Sequence, residues 1–392
     1  MRLEPPPLPS EATSEDLRSR LKRLGPVMLY GAGSVGRDVL AILQADGLIV
    51  RGFLDAKDLS LAAINGVAVH KPDAPSFGAE ERRTIPVIVT IFNAYVDMPA
   101  IHENLARLGW ENVVVFTEFY EAYAAELGNR YWITKRDYYR HHGSQLQATR
   151  DLWADEKSRV LFDSLLKFRL TGDYTVLAAP DHDSQYFPPD VPAWARPLRM
   201  IDCGAYDGDT LRQVRALGLP MEAYAALEPD PGNFTKLAQE TARSATTSPA
   251  LVALWPCGAW SHACQLRFSS GQGSGSAVNP NGQTLIQCVA LDEALPVFGP
   301  TLIKMDIEGA EYPALLGAAH TIRAHRPGLA ICLYHEPAHL WQIPLLVAGW
   351  NLGYRYYLRC HCHNGFDLVL YAVRRSTHMP DHENHIQEES SY

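Results

Sequence analysis

Basic residues are in short supply in this chain: 35 Lys and Arg stand against 44 Asp and Glu, a formal net charge of −9. No long Lys/Arg run offsets this, which argues against non-specific nucleic-acid binding, since that binding rests on neutralising phosphates. Long apolar runs are missing too. The longest uncharged stretches, 244–266, 268–291 and 337–354, are each broken by Pro, Gly, Asn, Gln or Ser, so no membrane span is expected. The opening Met1-Arg2-Leu3-Glu4-Pro5-Pro6-Pro7 lacks the apolar core of a secretory signal. Cysteine is sparse and odd in number, seven over 392 residues. That is no disulfide framework, and it points to free thiols in a reducing, cytoplasmic compartment. What is present, 47% hydrophobic and 20% charged side chains, is enough for a sizeable core and too long for one ordinary domain.

Residues 1–24 read as a proline-rich arm ending in a polar helix from about Ser14 to Leu24. From 25 to 117 short apolar runs alternate with helical segments. Strands are expected at Val27–Tyr30, Ile49–Leu54, Ile85–Phe92 and Val113–Phe116, with helices at Gly36–Ala45 and Met98–Leu108. This alternation predicts a small, doubly wound α/β domain around a parallel sheet. Residues 118–198 lack strand signals and form a helical connector followed by a proline-rich loop, Thr171–Pro197. A second βα series fills 199–374, with strands at Arg199–Cys203, Ala223–Glu228, Leu251–Trp255, Leu302–Asp306 and Leu329–Tyr334. Helices are expected between them at Thr210–Leu217, Pro231–Thr241 and Glu311–Arg323, and then from about Ala338 to Trp350. A hairpin of Tyr354–Arg359 and Phe366–Val373 closes the series, and 375–392 is a polar tail expected to be disordered.

Each series carries a glycine loop between its first strand and helix. In Gly31-Ala32-Gly33-Ser34-Val35-Gly36 the glycines allow a tight turn, and the helix N-terminus attracts phosphate. Asp55 stands at the end of the next strand, where a ribose-binding acid would be. A packing role for these glycines is the plain alternative. The second loop, Asp202-Cys203-Gly204-Ala205-Tyr206-Asp207-Gly208-Asp209, is rich in carboxylates. Such a loop would repel a pyrophosphate and suits an ammonium or sulfonium ligand. The following strand ends in Glu228-Pro229-Asp230, an acid placed to accept both hydroxyls of a ribose. A ribose at one end and a cationic amino acid at the other describe S-adenosylmethionine.

Three segments together resemble the FkbM family of S-adenosylmethionine-dependent methyltransferases: 200–210 (MIDCGAYDGDT), 227–234 (LEPDPGNF) and 302–311 (LIKMDIEGAE), with Val289-Ala290-Leu291-Asp292 before the last. The resemblance covers roughly 199–373. It implies a class I methyltransferase fold, a Rossmann-like seven-stranded sheet whose last strand runs antiparallel, and methyl transfer to an oxygen of a sugar, glycan or secondary metabolite. It further implies that Asp202, Gly204 and Tyr206, with Asp207 in the same loop, line the methionine end. Glu228 and Pro229 would stand at the ribose, Cys257 and Gly258 near the adenine, and Asp306 beside the cofactor. Cys203 and Tyr206 replace the small aliphatic residue and Asn of many members.

An alcohol is a weak nucleophile, so a base near the acceptor is expected, with His335, Asp306 and Glu308 as candidates. Lys304 and Asp306, two apart on a strand, share a side, as a catalytic pair or a structural ion pair. His335-Glu336-Pro337-Ala338-His339 matches H-E-x-x-H literally, but Pro337 starts a helix and leaves His335 outside it. All four of Cys360-His361-Cys362-His363 cannot converge on one ion if they lie on a strand, where neighbours alternate faces, although two of them could contribute to a zinc site. No metal site is assigned, although a divalent ion at Asp306 and Glu308 stays open. Gly271-Gln272-Gly273-Ser274-Gly275-Ser276 reads as a mobile loop, a candidate lid. Tyr131, Trp132, Tyr138, Tyr139 and Tyr186 are candidates to stack on a sugar, or to fill the core. A second reading has the N-terminal domain bind NAD or a nucleotide sugar, making the chain an oxidoreductase or a bifunctional sugar-modifying enzyme. Residues 25–117 contain no Tyr-x-x-x-Lys pair to support hydride transfer.

Overall fold

A computed structural model describes residues 16–57, 63–182, 184–243 and 249–374. The start of the arm and the tail from 375 onward lie outside the described residues. The first sheet contains β1 (Val27–Tyr30), β2 (Val50–Leu54), β3 (Ala63–Ile64), β4 (Val67–His70), β5 (Val87–Val89) and β6 (Val113–Val114), in the order β3-β4-β2-β1-β5-β6. All pairs are parallel except the β3–β4 hairpin. The four residues of β1 are all buried, as expected for a central strand covered on both faces. The strand expected over Ile85–Phe92 is shorter because Pro86 has no N–H to give and Thr90 turns its hydroxyl onto the carbonyls of Tyr30 and Gly31.

The second sheet has seven strands: β7 (Leu198–Cys203), β8 (Met221–Leu227), β9 (Leu251–Trp255), β14 (Leu302–Met305), β15 (Gly328–Cys332), β16 (Tyr354–Cys360) and β17 (Leu368–Arg374). Their order is β16-β17-β15-β14-β7-β8-β9, and β17 runs antiparallel to both neighbours. From β7 the chain moves outward to β8 and β9, then returns to β14 on the other side of β7. That reversal creates a crevice at the carboxyl ends of β7 and β14, the place where open α/β sheets bind ligands. Between β9 and β14 lies a small sheet the sequence reading missed. It pairs β10 (Gly258–Ala259), β11 (Cys264–Ser269), β12 (Ala277–Val278) and β13 (Thr284–Val289) in the order β10-β13-β11-β12. The helix expected over Glu311–Arg323 is two, Glu311–Leu316 and Ala319–His325. A Cβ on Gly317, between them, would lie 2.1 Å from the carbonyl oxygen of Trp260, so the backbones touch there.

The connector is helical, with its longest helix at Glu156–Thr171. Asp155 caps this helix by accepting the Ser158 N–H, and Gly172 ends it in the left-handed conformation. Its buried side chains include Phe162, Leu165 and Phe168, and it packs along β16. Arg359 of β16 locks the contact by donating to Asp155, to the Ser158 hydroxyl and to Asp190. One apolar cluster runs without a break from Leu17 through the connector to Val373.

Candidate active site

The loop after β7 is held from below. Asp202 is fully buried, accepts the Tyr224 hydroxyl at 2.8 Å and lies 3.1 Å from the Lys304 ammonium. Lys304 also donates to the Gly204 carbonyl at 2.6 Å. Burial alone would lower this ammonium, but Asp202, Asp306 and Asp209 raise it instead, so it stays charged. A Cβ on Gly204 would sit 1.9 Å from the Asp306 carbonyl oxygen, and its φ is +76°, so only glycine fits. The Glu228 carboxylate braces the same loop, accepting the Tyr206 N–H and the Asp230 N–H, both at 2.9 Å. Burial pushes Glu228 up to about 7 against these two amides, which pull it down.

Above these loops opens a cavity of about 440 Å³. Gly204, Tyr206, Asp209, Glu228, Pro229, Gly258, Asp306 and Glu308 line it. Its apolar end includes Phe268 and Ile286 of the small sheet. The opposite wall comes from outside residues 199–374: Phe92, Asn93, Ala94 and Tyr95 follow β5, and Tyr131 belongs to the connector. The β5 loop is hooked onto the turn before β17, where Asn364 donates to the carbonyls of Asn93 and Val96 at 2.9 and 2.8 Å. The glycine-rich 271–276 is likewise tethered. Gly271 N–H and the Ser276 hydroxyl both donate to Asp230, and Asn233 donates to the Gly273 carbonyl.

Beyond β14 the chain makes a tight turn. Glu308 adopts a left-handed φ of +53° and Gly309 follows at +102°. Glu311, fully buried, fixes the turn by accepting the N–H of Ile307 at 2.8 Å and of Gly309 at 3.1 Å. The same carboxylate accepts His335 Nδ1–H at 2.7 Å. His335 Nε2 then lies 3.5 Å from Asp306 Oδ1 and 3.5 Å from Glu308 Oε1. The far oxygen of Asp306 accepts the Tyr186 hydroxyl at 2.7 Å. Burial would raise Asp306, but Lys304, His335 and Tyr186 together hold it low. Glu308 moves the other way, raised by burial. Burial opposes charge on His335, yet Glu311 and Glu308 hold the imidazole well above its usual range.

Three residues expected at the cofactor do not line this cavity. Asp202 is buried beneath the loop in its ion pair with Lys304. Asp207 turns away to Arg212, 2.6 Å distant. Cys257 is buried, and the neighbouring Gly258 and Ala259 take the wall instead. His335 also stands behind the wall, reached only through Asp306 and Glu308. Asp209 is the loop acid that does line the cavity. Of the aromatic candidates, Tyr131 lines the cavity and Tyr186 reaches Asp306; the β5 loop was missed because its partners lie far away in sequence. The H-E-x-x-H pair does not share an ion: His339 starts the last helix, and its Nδ1 faces Glu311 at 3.4 Å. The Cys360–His363 run is dispersed among separate partners, with His361 bonded to the Asp181 carbonyl and to Tyr371. Cys362 contacts Asp367.

At the first glycine loop, Gly31, Gly33, Gly36 and Asp55 form no part of this cavity. A Cβ on Gly36 would meet the Gly31 oxygen at 2.2 Å, and one on Gly31 would meet Ile91 at 2.7 Å. Packing of helix Ser34–Ala45 against the sheet therefore accounts for both glycines. Asp55 braces the loop, accepting the N–H of Ala32 and of Lys57. These contacts account for Gly31, Gly36 and Asp55, whereas a Cβ on Gly33 would meet nothing within 4 Å.

Comparison with known proteins points to the same strands. Over 92% of its length the chain superposes on 94% of the crystal structure of methyltransferase FkbM from Methylobacillus flagellatus KT, with a TM-score of 0.73 and 22% identity, a likeness of fold. The structure of GsuK bound to ADP, at a TM-score of 0.20 and 13% identity over 59% of this chain and 65% of that one, is too distant to compare. A search of the curated proteins finds no match. The family model described as the methyltransferase FkbM domain matches residues 202–356, from the loop acid Asp202 to Tyr356 of β16. The crevice at the carboxyl ends of β7, β8 and β14 thus lies within the residues that match the methyltransferase FkbM domain.

Proposed function

We propose that the chain transfers a methyl group from S-adenosylmethionine to a hydroxyl oxygen of a small molecule or glycan, such as a sugar or secondary metabolite. The observation that carries this reading is the meeting, in one cavity, of the Glu228 brace, the carboxylate-rich loop and the Asp306–Glu308 turn. Glu228 accepts the ribose hydroxyls. Gly204, Tyr206 and Asp209 face the amino-acid end, and Gly258 with Phe268 and Ile286 receives the adenine. The reaction forms a carbon–oxygen bond and breaks the carbon–sulfur bond, whose electron pair stays on sulfur to leave S-adenosylhomocysteine. The hydroxyl proton goes to Glu308, which lines the cavity and which burial makes a better base than Asp306. His335 is a positioning residue, since it touches the two carboxylates and not the cavity. Holding nucleophile, methyl and sulfur in line supplies much of the rate.

Residues 25–117 act here as a substrate-presenting domain, through the β5 loop on the acceptor side of the cavity. The seven free cysteines suit a reducing, cytoplasmic setting. Among the described residues no helix is long and apolar enough to cross a membrane. Calorimetric titration of the full chain with S-adenosylhomocysteine tests the reading. Saturable binding that Glu228→Ala abolishes is the expected result, and no binding at millimolar ligand would overturn it.

A further inference from the structure

Asp306 Oδ1, Glu308 Oε1 and His335 Nε2 lie within 4.8 Å of one another. Nε2 stands 3.5 Å from each oxygen. Two donors about 2.1 Å from one ion and this far apart subtend about 110° at it, an ordinary ligand angle. The imidazole side chain is 1% exposed, and its Nε2 has no hydrogen-bond partner although it points between two carboxylates. Its other nitrogen is already used, donating to Glu311 at 2.7 Å. A carboxylate that takes one ring N–H and leaves the second nitrogen free is how ligating histidines are oriented. Glu311 is itself pinned by two backbone amides. Each remaining donor is pre-set in the same way. Tyr186 occupies Asp306 Oδ2, while Oδ1 faces His335 and takes only a long contact, 3.4 Å, from the Tyr334 hydroxyl. The left-handed backbone at Glu308 turns its side chain back toward the same point.

We propose that Asp306, Glu308 and His335 bind a divalent cation, and that this ion holds the acceptor hydroxyl. The second clause rests on the methyltransferase reading; the first does not. Two carboxylates and one imidazole are a mixed oxygen–nitrogen set of the kind that holds manganese or zinc. Asp306 and Glu308 both line the cavity, so the open side of the ion faces the acceptor. There the cation lowers the pKa of the hydroxyl it holds. Glu308 gives one oxygen to the ion and keeps the other for the departing proton, while the carbon–oxygen bond forms and the carbon–sulfur bond breaks.

The test uses the full chain, dialysed against EDTA and then against chelator-free buffer, and titrated with Mn²⁺. Loss of the free-ion electron paramagnetic resonance signal reports binding. One ion per chain is expected, with affinity at least about tenfold weaker in Glu308→Gln and in His335→Gln. Should the buried His335 variant fail to fold, Glu308→Gln at the cavity wall decides alone, its fold checked by circular dichroism. No saturable binding at millimolar Mn²⁺ overturns the site. Equal affinity in Glu308→Gln also overturns it, by placing the ion elsewhere. S-adenosylhomocysteine is titrated in parallel. Cofactor product bound without Mn²⁺ sinks the ion and leaves methyl transfer standing. Mn²⁺ bound without the product upholds the ion and sinks methyl transfer.

Discussion

Glu228 is a carboxylate whose charge matters twice. Its ordinary value of 4.5 is raised to about 7 by burial. The folded chain therefore binds this proton more tightly than the unfolded chain. The group's contribution to stability is full below 4.5, declines as pH rises, and is lost once pH passes about 7. On the proposed ribose contact cofactor binding takes the opposite slope, because the hydroxyls need an ionised acceptor. Affinity for S-adenosylhomocysteine should fall about tenfold per pH unit below about 7 and level off above it. Calorimetry across that range checks this; Glu228→Gln should show weak binding with no slope. The importance of Glu228 was legible in the sequence, since an acid closing the second strand after a glycine loop has one obvious place to point. The separation of Asp202, Asp207 and Asp209 was not. Which of three acids faces a ligand depends on where Lys304 and Arg212 sit, and Lys304 lies on a strand that joins the sheet a hundred residues later.

Among the elements, the tethered loops carry most of the acceptor side. Asn364 makes two of the hydrogen bonds that hook the β5 loop onto the turn before β17, and the His363 N–H gives a third to the Ala94 carbonyl. Asn364→Ala should raise the acceptor KM severalfold and leave the dissociation constant of S-adenosylhomocysteine unchanged; a shift in both would show a general loosening. Asp230 caps the helix Pro231–Thr241 and straps 271–276 with its other oxygen. Asp230→Ala should cost about 1 kcal/mol through the cap alone. It should also speed limited proteolysis within 271–276, measured on the folded chain. Legibility at this scale follows periodicity. The main strands were readable as apolar runs bounded by turn residues. The β3–β4 hairpin carries a readable tip in Asn65-Gly66, both at positive φ, but its strands are too short to show a pattern. In β11 and β13 exposed residues alternate with less exposed ones, of which Phe268, Ile286 and Cys288 are buried, yet glycine-rich 271–276 between them dominates the local composition.

At the scale of the whole molecule, the continuous apolar cluster binds the two sheets through the connector. One thermal transition is expected in calorimetry, rising in temperature with S-adenosylhomocysteine; two separate transitions would show that the sheets melt independently. Arg359 is the polar counterpart of that cluster, 3% exposed and shared among Asp155, Asp190 and Ser158. Arg359→Met should destabilise the chain by about 2 kcal/mol through the lost charge-assisted hydrogen bonds, as chemical denaturation would show. Two βα series and a helical bridge were readable from composition shifts and strand spacing. That the first series walls the cavity of the second was not, because the contact joins residues 93–96 to residue 364.

The strand order has a consequence for how the chain is made. β17, residues 368–374, lies between β15 and β16 and is the later of the three in sequence. During synthesis β16 leaves the ribosome before β17, the strand that links it to β15, and the main sheet keeps an open seam until residue 374 is free. The turn that hooks the β5 loop also waits for this point. Translation must therefore pass residue 374 of 392 before β15 and β16 are joined, and a ribosome stalled before 368 carries a chain whose main sheet is unclosed.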